Sequence, residues 1–309
     1  MSVPRRTPAV PAPAAPATAG PAPLVWVNGR PADPGAPQLL AGDRGFTLAD
    51  GLFETMRAYG GTVFRLGRHL ERLERGAQRL GIPLPPGLRA AVTAATRTAA
   101  AGGLREASVR LTVSRGPAPP GAVPPDEPSP TVVLAVHPVP RPPIAWWERG
   151  LAARLVAGRR NEHAVTAGLK TLAYTDAVAA LVEARAHGAD EALFLDTAGH
   201  LCEASASNVF LWARRALVTP PVHCGALPGV TREATLALAV DLDLAVEERA
   251  ILPEELFAAE EAFLTSSVRE LVPLTRVDGR AIGAGVPGPV TRRLAEAYAA
   301  LVRRECVPA

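Results

Sequence analysis

The chain has 309 residues, 48% of them hydrophobic and 20% charged, with a net charge of +3. That fits a globular protein of one or two domains, and the mild charge with 5% aromatic residues leaves no basic, aromatic-laced face for nucleic acid. No apolar run approaches the ~18 residues needed to cross a bilayer, so neither nucleic acid nor membrane is an expected partner.

Residues 1–23 alternate Pro, Ala and Thr after two arginines. Pro breaks every apolar stretch there, which argues for a disordered tail and against a secretory signal. "LVWVNGRPAD" (24–33) predicts a strand meeting an Asn28-Gly29 turn, and "LFETMRAYGGTVF" (52–64) predicts two strands around Gly60-Gly61. Leu66, Leu70, Leu73, Ala77 and Leu80 recur at helical spacing, and a second helix is expected over 87–101. Strands are expected over 106–116 and 129–139. The Pro-dense run "PVPRPPIAWW" (138–147) is read as a linker between a domain over 24–137 and another over 148–309.

Beyond it the pattern predicts a strand (151–157), a loop (158–169) and a helix (171–188) stopped by Gly188. A meander of short strands (191–221), a helix (229–242), a strand pair (259–279) and a last helix (287–304) follow. Strands in runs, without regular βαβ alternation, predict an α+β protein. Cys202, Cys224 and Cys306 are odd in number and lack CxxC spacing. Neither a metal site nor a disulfide framework is expected, and the cytoplasm is the expected setting.

Lys170, in "TAGLKTLAYTDA", is the one lysine beside 32 arginines. An arginine-rich composition explains why lysines are scarce, and drift alone could have left one. The chemical alternative is a Schiff-base residue. An amine can lose its proton and attack a carbonyl, whereas a guanidinium stays charged. Glu203 lies in an apolar strand region and is followed by small residues that would let a flat ligand approach; a solvated hairpin is the plainer reading. Gly229 and Thr231 open a helix whose free N–H groups could hold an anion, and Thr265, Ser266 and Ser267 add hydroxyls after a strand. Arg72 lies beside an apolar helical stripe and would suit phosphate, although spacing does not single it out from its arginine neighbours. Together these are the parts that pyridoxal phosphate needs: an amine, an acid for the ring nitrogen and an anion cup.

The run Glu203, Ser205, Asn208, Val209, Phe210, Leu217, Thr219, Leu227, Gly229, Val230 and Arg232 resembles the signature of the class IV aminotransferases. The likeness extends from about Val25 to about Ala299. It implies a fold-type IV pyridoxal-phosphate enzyme, with a small N-terminal α/β domain, a larger C-terminal pseudo-barrel domain and a homodimeric assembly. By the same resemblance Lys170 holds the cofactor and acts in catalysis, and Glu203 pairs with the ring nitrogen. Arg72 (in "H-x-x-R-L"), Val230, Thr231, Ser266 and Ser267 bind the phosphate, Leu227 packs on the ring and Tyr174 lies near its phenolic oxygen. Phe53, Arg110 and Val268 are expected on the substrate side.

The implied reaction moves an amino group between an L-amino acid of branched-chain type and a 2-oxo acid such as 2-oxoglutarate. The alternative is aminodeoxychorismate lyase, releasing pyruvate and 4-aminobenzoate, which Ser114-Arg115-Gly116 resembles. The run "PAPPGAVPP" lacks the arginine and histidine of D-amino-acid enzymes and counts against them. Leu48, Ala49 and Ala173 depart from the family, which usually has glycine at Ala49 and asparagine at Ala173; some branched-chain members carry tyrosine at Leu48.

Overall fold

Two sheets and the helices laid on them build the chain. The computed structural model describes residues 23–36, 38–140 and 144–306. Residues 1–22 of the tail expected over 1–23, the middle of the expected linker and the last three residues lie outside the described residues.

The first layer holds β1 (Leu24–Val27), β2 (Arg30–Ala32), α1 (Arg44–Leu48), β3 (Gly51–Tyr59), β4 (Thr62–Val63), α2 (Leu66–Leu80), α3 (Leu88–Ala101), β5 (Glu106–Ser114) and β6 (Thr131–Pro138). Its six strands run in the order β2-β1-β6-β5-β3-β4, all antiparallel. Strand period divides β3 between two tasks. Leu52, Met56 and Ala58 join the core under α2 and α3, while Phe53 and Thr55 face a cavity on the other side. On β5, Val109, Leu111 and Val113 enter the same core and Arg110 faces the cavity.

The second layer follows with α4 (Ala145–Glu148), β7 (Leu151–Arg160), α5 (Thr175–Ala186), β8 (Glu191–Asp196), β9 (Leu201–Ala204), β10 (Asn208–Ala213), β11 (Ala216–Thr219), α6 (Val230–Asp241), β12 (Ala245–Glu248), α7 (Pro253–Ala258), β13 (Glu261–Ser266), β14 (Glu270–Val277), β15 (Arg280–Ala281) and α8 (Pro289–Glu305). The strand order is β12-β11-β10-β13-β14-β7-β8-β9, with β15 beside β14. This sheet is curled: β9, its last strand, turns within three residues into β10, and Ala204 N–H donates to Ser207 O at 2.8 Å across the turn. Leu193, Leu201, Val209, Leu211, Leu264 and Leu274 fill the inside of the curl. Helices α6 and α8 cover the outside over Phe210, Leu217 and Phe263, and α5 covers Val156 and Phe194. The fold is α+β, as the strand runs predicted, and its curled half-barrel sheet agrees with the pseudo-barrel that the resemblance implied.

Three expectations change. The end of the expected linker folds into α4, because Trp146 packs into the half-barrel core. Strand β7 continues to Arg160, through residues expected in a loop, because Arg159 and Arg160 pair with Leu195 and Asp196. Helix α5 starts at Thr175, later than its sequence pattern suggests. Residues 170–172 are held instead by β3: Phe53 N–H donates to Lys170 O at 2.9 Å and Leu172 N–H to Gly51 O at 3.0 Å. Strand β12, parallel to β11 at the sheet edge, and helices α1 and α7 had not been foreseen.

Candidate active site

The two layers enclose a cavity of about 610 Å³. Every residue expected at the site lines it: Lys170, Arg72, Tyr174, Glu203, Leu227, Val230, Thr231, Ser266, Ser267, Phe53, Arg110 and Val268. They come from seven separate parts of the chain, and only the folded arrangement gathers them.

Lys170 lies in the segment between β7 and α5, where the chain bridges to β3. Its Nζ sits over the Phe53 ring, 4.6 Å from the centroid, and 5.7 Å from that of Tyr174. The two rings pack edge to face, 5.2 Å apart. Burial, reinforced by the positive charge of Arg72, lowers the lysine pKa to about 8, against the opposing pull of Glu54 and Glu203. An amine with that pKa is partly neutral near physiological pH, as a nucleophile must be.

Glu203 is buried on β9, against the plainer reading that it faces water. Leu227 N–H donates to its Oε2 at 2.9 Å, and Arg160 Nε lies 3.1 Å from Oε1. Burial raises its pKa, and Arg160, the Leu227 N–H and Lys170 oppose the rise. Tyr174 feels the same setting: burial and the nearby Glu203 raise its phenol.

Helix α6 starts at the cavity wall. Its N-cap is Gly229, with no capping side chain, so the N–H groups of its first turn have no intrahelical partner. A Cβ on Gly229 would lie 2.1 Å from Asn208 Oδ1. Only glycine admits this approach, and it lets Asn208 donate to Leu227 O at 2.8 Å. Thr231 is thus one residue inside the helix. Among the described residues its hydroxyl and that of Thr265 are buried without hydrogen-bond partners, although Thr231 lies near the Tyr298 hydroxyl.

Arg72 reaches this end from α2. Its Nε and Nη2 donate to the two oxygens of Glu54 at 2.8 and 2.6 Å, and Nη1 donates to Pro228 O at 2.8 Å. Of five N–H groups, one on each terminal nitrogen is left for a ligand. Glu54 also bonds His69 Nδ1 at 2.7 Å. Burial alone would raise the Glu54 carboxyl, but Arg72 and His69 outweigh it and hold the pKa at about 2. An anion cup of open amides, unpartnered hydroxyls and a preset guanidinium therefore faces the amine and the acid across one cavity. These residues fit the phosphate, aldehyde and ring nitrogen of pyridoxal phosphate.

On the remaining wall, Arg110 stacks on Phe53, with Cζ 3.6 Å from the ring centroid. Among the described residues it has no carboxylate at ion-pair distance. Val268 O accepts from Arg57 Nη1 at 2.9 Å, which ties the Ser267–Val268 turn to β3. The sequence reading missed three supports. Arg160 pairs with an acid far along the chain. Glu191 is buried and accepts from Ser205 Oγ and from Arg269 Nη1. Glu54 is the third, and a charged residue between Phe53 and Met56 in a strand is itself a signal for a buried partner.

The family description "Amino-transferase class IV" matches residues 51–277. The chain is 33% identical over 275 residues to the putative branched-chain-amino-acid aminotransferase of Methanocaldococcus jannaschii, covering 89% of this chain and 94% of that one. The crystal structure of Escherichia coli branched-chain amino acid aminotransferase has a TM-score of 0.85 at 28% identity, covering 90% of this chain and 94% of that one. The 4-amino-4-deoxychorismate lyase of Pseudomonas aeruginosa has a TM-score of 0.80 at 33% identity, covering 91% and 99%. The chain belongs to the class IV aminotransferases, enzymes of the fold-type IV pyridoxal-phosphate class.

Proposed function

We propose that this enzyme uses pyridoxal 5'-phosphate to move an amino group between an L-amino acid of branched-chain type and a 2-oxo acid such as 2-oxoglutarate. The observation that carries the reading is the meeting of Lys170, Glu203, Arg72 and the bare start of α6 in one cavity. The branched-chain relatives support the substrate class.

When bound, the cofactor supplies an aldehyde that captures amines and a ring that takes up the electron pair left at the substrate's α-carbon. The protein's part is to bind, orient and move protons. Lys170 Nζ would hold the aldehyde and, as a free amine, would move the proton at the substrate's α-carbon. Glu203 would accept from the ring N–H and so keep the proton on the ring nitrogen. Arg72, Val230, Thr231, Ser266 and Ser267 hold the phosphate, Leu227 packs on the ring and Tyr174 steadies its phenolic oxygen. Phe53 and Val268 bound the substrate side, and the unpaired Arg110 receives a carboxylate there.

The same reading divides the chain into parts over 24–137 and 148–309, joined at 138–147. It also pairs two copies in a homodimer, for which the exposed apolar residues Leu39, Leu40, Phe46 and Val123 offer a surface. Three free, buried cysteines fit a cytoplasmic setting.

Aminodeoxychorismate lyase is the second reading, favoured by the 33% identity to a solved lyase. The Ser114-Arg115-Gly116 run adds nothing to it. Arg115 donates to Asp50 and to the carbonyls of Leu80 and Gly81, and a Cβ on Gly116 would lie 1.7 Å from Ser129 O. The run is a structural tie outside the cavity lining.

Purified enzyme incubated with leucine and 2-oxoglutarate, and separately with aminodeoxychorismate, tests both readings. Glutamate formed in the first tube is expected. Pyruvate and 4-aminobenzoate in the second tube alone would replace the transaminase reading with the lyase. Borohydride reduction should place the pyridoxyl group on Lys170, and an active preparation with Lys170 unmodified would remove its assigned role.

A further inference from the structure

Glu203 and Arg160 reach each other through an irregularity in the half-barrel. The β7–β8 ladder slips between Leu155 and Arg159, and the β8–β9 ladder slips between Phe194 and Leu195. Such slips re-aim side chains. Arg160 is thereby laid over the Phe194 ring, with Cζ 4.2 Å from the centroid, and its Nη2 donates to Ser205 O at 3.4 Å. Phe194 is the cross-strand partner of Glu203. The guanidinium is thus fixed by stacking and by a backbone carbonyl, independently of the acid it faces. Its Nε lies 3.1 Å from Glu203 Oε1 as a charge contact, without hydrogen-bond alignment.

Every charged or titratable group around Glu203 bears on where a proton sits. Lys170 and Tyr174 face it from the segment leading into α5, and the thiols of Cys202 and Cys224 lie behind it. Burial favours the neutral acid. Lys170 cannot be the lasting counter-charge, because its own chemistry requires it to lose its proton. Arg160 keeps its charge throughout.

We propose that Arg160 is a positioning residue that keeps Glu203 ionised and aimed into the cavity, so that the proton shared with a bound ring nitrogen stays on nitrogen. This rests on the pyridoxal-phosphate reading above. An ionised carboxylate rewards a ligand that carries an N–H at that point and penalises one that does not. A neutral carboxyl discriminates less between the two.

The test compares two ligands of the cofactor-free protein: pyridoxal 5'-phosphate and its 1-deaza analogue, in which C–H replaces the ring nitrogen. Dissociation constants are read from tryptophan fluorescence, since Trp146 lines the cavity. Wild type is expected to favour the parent cofactor by about tenfold to a hundredfold, the worth of one charge-assisted hydrogen bond. R160M should shrink that ratio to about threefold or less, and R160K should restore most of it. R160Q stands in if R160M does not fold, because the ratio must follow charge and not shape. A wild-type ratio in R160M or R160Q overturns the role of Arg160. Failure of wild type to bind either compound overturns the cofactor reading itself, which separates the two.

Discussion

Lys170 owes its chemistry to its surroundings. Its pKa of about 8 lies below the ordinary 10.5 because the site buries it beside Arg72. Capture of the cofactor aldehyde needs the neutral amine, so the rate constant of reconstitution should rise about tenfold per pH unit below pH 8 and flatten above it. A flat profile from pH 6 to 9 would contradict the shift. The linkage has the matching sign. The folded cofactor-free protein bears the buried ammonium's penalty in full below about pH 8 and loses it above 10.5. Ala49 illustrates a local cost. It caps α1 at φ +54, in the left-handed region, where the family usually has glycine. Ala49→Gly should stabilise the protein by about 0.5–1 kcal/mol, because relief of strain exceeds the added chain entropy. Denaturant midpoints check this, and a loss of stability would show that Ala49 is unstrained.

Between elements, Glu54 joins β3 to α2 and presets Arg72. It is completely buried and accepts from both Arg72 and His69. Glu54→Gln should cost about 3 kcal/mol, since it leaves a buried guanidinium without its counter-charge. It should also weaken cofactor binding by releasing Arg72. Equal stability of variant and parent in urea would refute the argument. For the carboxyl itself the folded pKa of about 2 lies below the ordinary 4.5. Its contribution is therefore present above pH 4.5 and is lost as pH falls toward 2. The element scale also marks the limit of sequence reading. Helix α2 was legible because its leucines repeat at helical spacing. The start of α5 was overextended because residues 170–172 bond to β3 instead of to a helix. Strand β12 was missed because its residues, mostly exposed, show no alternation. Helix α7 carries a local sequence signal, Pro253 at its first position followed by Glu255, whose carboxylate accepts from Leu252 N–H at 3.1 Å.

Across the whole molecule, the two layers share a core. Phe64, just after β4, packs edge to face on Tyr298 of α8 at 5.3 Å, within the cluster that holds Phe210 and Phe263. Tyr59 donates to Glu270 at 2.5 Å, and Arg57 ties Val268 to the first sheet. Such contacts couple the layers, so thermal unfolding should be one transition. Tyr298→Ala should cost about 3–5 kcal/mol and lower the stability of both layers together. Two separate calorimetric transitions in the parent protein would show that the layers unfold independently.

The sequence by itself determined most of the elements and the chemistry on offer. Periodicity is local, so it revealed most strands and helices, and a lone lysine and a spaced signature pointed to an amine, an acid and an anion cup. Tertiary structure decided how those parts act on one another. Arg160 meets Glu203, Glu54 clamps Arg72 and Glu191 holds Ser205 and Arg269 only because separate strands and helices are folded against each other. The desolvation that brings Lys170 to about 8 is likewise a property of the assembled cavity. Charge interaction and burial depend on distance in space, and spacing along the chain does not encode that distance for residues on different elements.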